Sequence, residues 1–97
     1  MRVTYRPRAL ADIDDIARYL EKRSPAGARN VVRAIHEGIR VIAEQPYGSE
    51  RTNDPSIRVK VVRRYRYRIF YRIIDADTIL IIHVRHTARR QWEGESA

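Results

Sequence analysis

The sequence predicts a single α+β domain over residues 1–97, with the element order β-α-α-β-β-β and an antiparallel sheet that carries a helical hairpin on one face. A change of period supports this fold class, because apolar residues recur at helical spacing in the first half of the chain and at alternate positions in the second. A length of 97 residues fits one compact domain, and a hydrophobic content of 43% is enough for its core.

One strand and one helix are predicted at the beginning of the chain. Val3 and Tyr5 alternate with polar neighbours before Pro7, a pattern typical of a short strand that a proline ends. Apolar side chains then recur at helical spacing from about Arg8 to Lys22. This segment is the first predicted helix.

A second helix is predicted to begin at Ser24 and Pro25. Serine can accept a hydrogen bond from a free helix amide, and proline is suited to the first helical position. One apolar stripe then continues to Gln45, where Pro46 prevents further helix. Because the link to the first helix is so short, the two helices should form an antiparallel hairpin.

Three strands are predicted in the second half of the chain. After a polar loop at 48–56, β-branched and aromatic residues dominate and the apolar period becomes two. The strands are expected at about 57–63, 65–74 and 78–85, and the last two are joined by a tight turn.

Alternation along these strands predicts which side chains face the helices. Odd positions from Tyr65 to Ile73 are apolar or aromatic, whereas the even positions carry most of the arginines. On the neighbouring strands, the side chains expected to face the helices are Val59, Val61, Leu80, Ile82 and Val84. Those expected on the opposite, open face are Arg58, Lys60, Ile79, Ile81, His83 and Arg85.

Cations dominate the charge of the chain. Lysine and arginine number 20 against 12 acids, which gives a formal net charge of +8, and 18 of the 20 cations are arginine. The guanidinium group pairs bidentately with phosphate or carboxylate. Seven cations and no acid occur between Arg58 and Arg72. One or two cations on an edge strand are enough to prevent aggregation between sheets. A run of seven therefore favours a surface that binds an anionic partner.

Several classes of site are excluded. The absence of cysteine removes disulfides and thiolate chemistry, and no glycine-rich phosphate loop or metal-ligand pattern occurs, so neither a cofactor nor a metal is expected. Asp12, Asp14 and Asp15 are interpreted as partners of a helix dipole. No apolar run approaches the ~18 residues of a membrane span, which predicts a cytoplasmic protein with no membrane partner.

Three segments together resemble a known family. They are VTYRPRALADI at 3–13, YRIFYRI at 67–73 and VRHTARR at 84–90, which includes a His-x-x-Arg pattern at His86 and Arg89. In their order and spacing they resemble the RelE/ParE superfamily of prokaryotic type II toxin–antitoxin modules, and the opening resembles its ParE branch.

The resemblance implies a toxin that a cognate antitoxin neutralises in a heteromeric complex, with one of two targets. ParE-like members poison DNA gyrase, and RelE-like members cleave mRNA on the ribosome. The RelE-like terminal tyrosine has no counterpart here, because no tyrosine follows Tyr71, and His86 is the remaining replacement. DNA gyrase is therefore the expected target, and ribosome-dependent mRNA cleavage is the alternative. A plain nucleic-acid-binding module is a third class.

The expected site residues follow from the basic strands and the resemblance. The set expected to bind the target is Arg58, Lys60, Arg66, Arg68, Arg85, His86, Arg89 and Arg90. For the nuclease alternative, the catalytic set would be His86, Arg68 and Lys60, with Arg68 at the position of a phosphate-stabilising arginine. As a gyrase poison the protein would need no catalytic residue.

Overall fold

The structure, a computed structural model, describes residues 1–87 and confirms the α+β fold class. Two helices and five strands follow one another along the chain. Their bounds are β1 Arg2–Tyr5, α1 Pro7–Glu21, α2 Pro25–Glu44, β2 Glu50–Arg51, β3 Arg58–Val62, β4 Tyr67–Asp75 and β5 Thr78–His86. The two-residue strand β2 is an addition to the predicted order.

The strands form one sheet in the order β1-β5-β4-β3-β2. Neighbouring strands are antiparallel except for β1, which pairs parallel to β5. The sheet is therefore mixed: β2 to β5 are antiparallel as predicted, and β1 adds a parallel pair at the edge. The parallel pairing is possible because the helical hairpin and the meander of β2 to β4 separate β1 from β5 in the chain.

The helical hairpin follows its predicted signals. The Ser24 side chain accepts a hydrogen bond from the Gly27 N–H at 3.0 Å, and Pro25 occupies the first turn of α2. Both helices pack on the face of the sheet that carries Tyr67, Ile69 and Tyr71, all of which are buried. This common core holds the hairpin against the sheet.

Gly38 lets α2 approach the sheet closely. A Cβ atom at this position would lie 3.0 Å from Ile69 Cδ1 and 3.2 Å from Val62 Cγ2. We expect Gly38→Leu to lower the free energy of unfolding by about 1–3 kcal/mol, because the added atoms overfill the helix–sheet contact. Urea unfolding tests this, with His36→Leu on the exposed side of α2 as the control. Equal stability of the two variants would contradict the prediction.

A tight connection joins β3 to β4. Arg63–Tyr65 form one turn of 3-10 helix, and Arg66 then adopts a left-handed conformation with φ 60° and ψ 45°. Tyr65 therefore belongs to the turn and not to a strand, contrary to the prediction. A left-handed backbone costs a residue with a Cβ atom roughly 1–2 kcal/mol, so this turn is strained at Arg66.

A bulge in β5 changes the predicted orientation of its first half. Phe70 pairs with His83, but Tyr71 pairs with Ile81, so one residue of β5 has no partner on β4. Ile79 and Ile81 consequently face the helices and are completely buried. Their predicted place on the open face is wrong, as is the predicted place of Leu80 in the helix-facing core, because Leu80 pairs with Arg72. Val84 packs in that core as predicted.

Candidate functional site

The candidate site is the open face, the side of the sheet opposite the helices. Directly paired residues on neighbouring strands share a face, so the register defines its members. In β3, β4 and β5 the open face consists of Val59, Val61, Arg68, Phe70, Arg72, Leu80, His83 and Arg85. The aromatic and aliphatic residues of this face are thus accompanied by three arginines.

Arg58 and Lys60 lie on the other side of the sheet, which corrects their predicted placement. They pair with Tyr71 and Ile69, both of which face the helices. The physical reason is the four-residue connection between β3 and β4, which pairs Val62 with Tyr67 and so reverses the expected parity. Val59 and Val61, predicted to face the helices, accordingly lie on the open face.

Arg58 has local partners on the helix-facing side. Its Nη1 donates a hydrogen bond to the Ser49 carbonyl at 2.9 Å, and its guanidinium lies 5.2 Å from the centroid of the Tyr47 ring. These contacts tie β3 to the segment that follows α2. A role in holding this segment accounts for Arg58 without a target.

Arg68 and Arg85 are brought together as predicted, directly opposite each other on β4 and β5. Two like charges at this separation repel, and such a pair destabilises a sheet unless an anion lies nearby. The anion is Asp12 of α1, whose Oδ1 lies 3.4 Å from Arg85 Nη1.

Asp12 is a buried carboxylate at the edge of β5. The pairing of β1 with β5 ends at Tyr5. Beyond this point α1, and not a strand, lies beside β5. Asp12 there accepts the Val84 N–H at 3.0 Å, and its second oxygen also pairs with Arg8 at 3.4 Å. Asp12 is only 7% exposed. Asp12, Asp14 and Asp15 all lie outside the first turn of α1, which begins at Pro7, so their interpretation as dipole partners is wrong.

His83 lies beside the same carboxylate. Its Nδ1 is 3.7 Å from Asp12 Oδ2, and 35% of the His83 side chain is exposed. Burial and the neighbouring Arg85 lower the pKa of His83, and the attraction of Asp12 opposes them only in part. The imidazole is therefore neutral at neutral pH, and the charge of the open face at that pH comes from its arginines.

The lowered pKa of His83 predicts a pH dependence of stability. The unfolded chain binds a proton at His83 more readily than the folded chain does. Acidification from about pH 6.5 down to the pKa of His83 in the folded chain therefore favours unfolding. We expect the wild type to lose more stability than His83→Gln between about pH 7 and pH 5, as measured by urea unfolding. Parallel pH profiles of the two proteins would contradict this.

His86 faces the helices. It pairs with the buried Tyr67, and the two rings meet edge to face with their centroids 5.0 Å apart. Lys60 is on this same side of the sheet, whereas Arg68 is on the open face. The structure therefore divides the three residues of the nuclease alternative between two faces.

Three predicted site residues remain. Arg66 lies in the turn between β3 and β4, and Arg89 and Arg90 fall outside the described residues. Within 1–87, no three His, Cys, Asp or Glu side chains are grouped as a metal site. No helix in this part of the chain has the length and apolar character to cross a membrane.

Comparison with known proteins gives the family. Residues 3–91 match the family model described as the ParE toxin of the type II toxin–antitoxin system parDE. Over 92 residues, the chain is 33% identical to the predicted toxin Y4kP of Sinorhizobium fredii, an alignment that covers 94% of this chain and 92% of Y4kP.

Two solved structures share the fold. The chromosomal ParDE system of P. aeruginosa contains a chain with a TM-score of 0.75 and 22% identity, which covers 89% of this chain and 95% of its own. The intact E. coli RelBE toxin–antitoxin complex contains another, with a TM-score of 0.69, 18% identity and coverages of 91% and 98%. With the match over nearly the whole sequence, these comparisons show that the chain belongs to the ParE toxin family of type II toxin–antitoxin systems.

Proposed function

We propose that this toxin stops growth by poisoning DNA gyrase and that a cognate antitoxin neutralises it. The observation that supports this target over mRNA is the separation of Arg68 from Lys60 and His86 by the sheet. A general acid or base must come within hydrogen-bond reach of the same substrate as the group that stabilises its phosphate. Residues on opposite faces do not meet this condition.

The open face has the composition of a protein-binding surface. Phe70 lies between Arg68 and Arg72 on the central strand, and the valines of β3 extend the apolar area. Arginine and aromatic residues are enriched where protein interfaces gain most of their affinity. Arg68 and Arg85 are the predicted target-binding residues on this face. Because Arg85 is only 11% exposed and is paired with Asp12, we assign target recognition to Arg68 together with Arg72.

An antitoxin is the second proposed partner. The solved relatives are toxins of the ParDE and RelBE systems, the latter described with its antitoxin. A net charge of +8 and an apolar centre on the open face favour an acidic, amphipathic antitoxin segment. The proposed site of action is the cytoplasm, where gyrase works.

DNA supercoiling by the purified gyrase of the host tests the target. The chain is titrated into the reaction with and without a co-expressed candidate antitoxin, and folding of the chain is verified by circular dichroism. Inhibition that the antitoxin relieves is expected. If the folded chain leaves supercoiling intact but cleaves mRNA on ribosomes, the nuclease alternative replaces this proposal.

His86→Ala separates the two activities. We expect this variant to inhibit gyrase within about twofold of the wild type after correction for its folded fraction, because His86 does not share the open face. Loss of the edge-to-face contact with Tyr67 should lower the free energy of unfolding by roughly 0.5–1.5 kcal/mol. A nuclease that relies on His86 would lose its activity instead, as measured by growth arrest and mRNA cleavage.

A further inference from the structure

Three arginines form the end of the connection between β3 and β4. Arg63, Arg64 and Arg66, here called the hairpin tip, are all exposed. In the described part of the chain, none of the three has an ion pair or a side-chain hydrogen bond with an acid. Other exposed arginines differ in this respect, since Arg18 pairs with Asp14.

The backbone gives no reason for an arginine at the end of this turn. Arg66 has a φ of 60°, a conformation that glycine adopts without strain. What the fold uses here is the backbone, because the Arg66 carbonyl accepts the Thr87 N–H at 2.8 Å. Glycine would keep this hydrogen bond. A strained residue whose exposed charge has no acidic partner within 1–87 is a candidate for a functional contact.

The cationic surface continues from the hairpin tip to α2. A shallow cleft of about 360 Å³ lies between them, with Arg33 on the helix side and Arg64 and Tyr65 on the turn side. Among the described residues, Glu37 is the one carboxylate that lines this cleft, and it is held by Arg40 through a bidentate ion pair. Arg40 also pairs with Glu44, so it offsets the charge of Glu37 only in part. Within 1–87, no acid pairs with Arg33 or Arg64 of the cleft.

We propose that the hairpin tip binds the phosphate backbone of duplex DNA without reading its sequence. Successive exposed guanidinium groups suit a regular row of phosphates, and contacts of this kind give affinity but no sequence information. The tip lacks the exposed apolar anchor that a protein interface normally uses, because Tyr65 is half-buried with Arg64 over its ring. The choice of duplex DNA rests on the proposed gyrase target, an enzyme that acts on such DNA.

Arg66→Gly gives two readouts of opposite sign. The binding of the full chain to a fluorescent 20-bp duplex is measured by anisotropy between about 50 and 200 mM salt. We expect several-fold weaker binding, and the negative slope of log affinity against log salt should become shallower by about 1, as for one lost phosphate contact. The melting temperature should stay the same or rise, because the strain is removed. If Arg66 served only the fold, the substitution would lower the melting temperature and leave the DNA affinity of the folded chain unchanged.

Two control variants separate the hairpin tip from net charge. Arg66→Lys keeps the charge on the same strained backbone and should retain DNA affinity within about twofold. Arg29→Gln removes one exposed charge from α2 and should leave the salt slope nearly unchanged. Adding Arg63→Gln and Arg64→Gln to Arg66→Gly should make the slope shallower by about 2–3. If the hairpin variants bind DNA like Arg29→Gln, the proposal is overturned.

The same variants distinguish this proposal from the gyrase target. The DNA titration contains no gyrase, so hairpin-dependent binding supports the DNA site whatever the supercoiling assay shows. A chain that binds DNA in this way but leaves supercoiling intact overturns the gyrase target alone. Hairpin variants that lose antitoxin binding while they keep DNA binding would assign the tip to an acidic protein and overturn the DNA site.

Discussion

Asp12→Ala is expected to lower the free energy of unfolding by about 3–5 kcal/mol, the largest stability effect predicted for this protein. The change leaves the Val84 N–H without its acceptor and removes the anion between Arg85 and Arg8. Arg85 is only 11% exposed, so its charge would remain buried and uncompensated beside Arg68. The free energy of unfolding of a typical native protein is only about 5–15 kcal/mol. A loss of this size would therefore leave the variant much closer to unfolding.

Asp12→Asn divides this effect into its parts. The amide oxygen can still accept the Val84 N–H, but the negative charge near Arg85 is lost, so we expect an intermediate loss of stability. Asp15→Ala, on the exposed side of α1, is the control and should change stability by less than about 0.5 kcal/mol. Urea unfolding of the three variants measures the order of their stabilities. Asp12→Ala as stable as Asp15→Ala would refute the role of the buried carboxylate.

The helices could be predicted because their signals are local. Ser24 and Pro25 start α2, and Pro46 follows closely after its end, as expected from capping and proline geometry. The period-two pattern of β4 is equally local, since Tyr67, Ile69 and Tyr71 are the buried residues at alternate positions of one strand.

The faces of β3 and of the first half of β5 depend on register, which these local patterns do not specify. A turn with four residues between the paired Val62 and Tyr67 places Arg58 and Lys60 on the side opposite to the expected one. A single extra residue in β5 has the same effect on Ile79 and Ile81. Because the side-chain period of a strand is two, a one-residue difference is enough to exchange the faces.

Asp12 was missed as a buried residue although the sequence contains a signal for it. It lies three residues after Ala9 and four before Ile16, both of which are buried, so the helical period places the carboxylate on the core face of α1. Its charge favoured a surface interpretation. The partner that reverses this interpretation, Arg85, is on a strand at the other end of the chain and is brought to Asp12 only by the fold.

Reversal of both charges that flank Phe70 is expected to abolish gyrase inhibition, with a loss of roughly 100-fold or more for Arg68→Glu together with Arg72→Glu. If the open face binds its target through arginines, each reversal replaces an attraction by a repulsion. The fold should tolerate the change, because the carboxylate introduced at position 68 would lie opposite Arg85 and an unlike pair would replace the repulsion of two arginines.

This difference between stability and activity makes the double reversal informative. The free energy of unfolding should stay equal to that of the wild type or rise slightly, as measured by urea unfolding, while supercoiling inhibition disappears. Lys22→Glu together with Arg29→Glu applies the same change of net charge to exposed residues of the helical hairpin and should leave inhibition within a few-fold of the wild type. If the two double variants inhibit gyrase equally well, target recognition does not depend on the open face, and the arginines around Phe70 lose the role assigned to them.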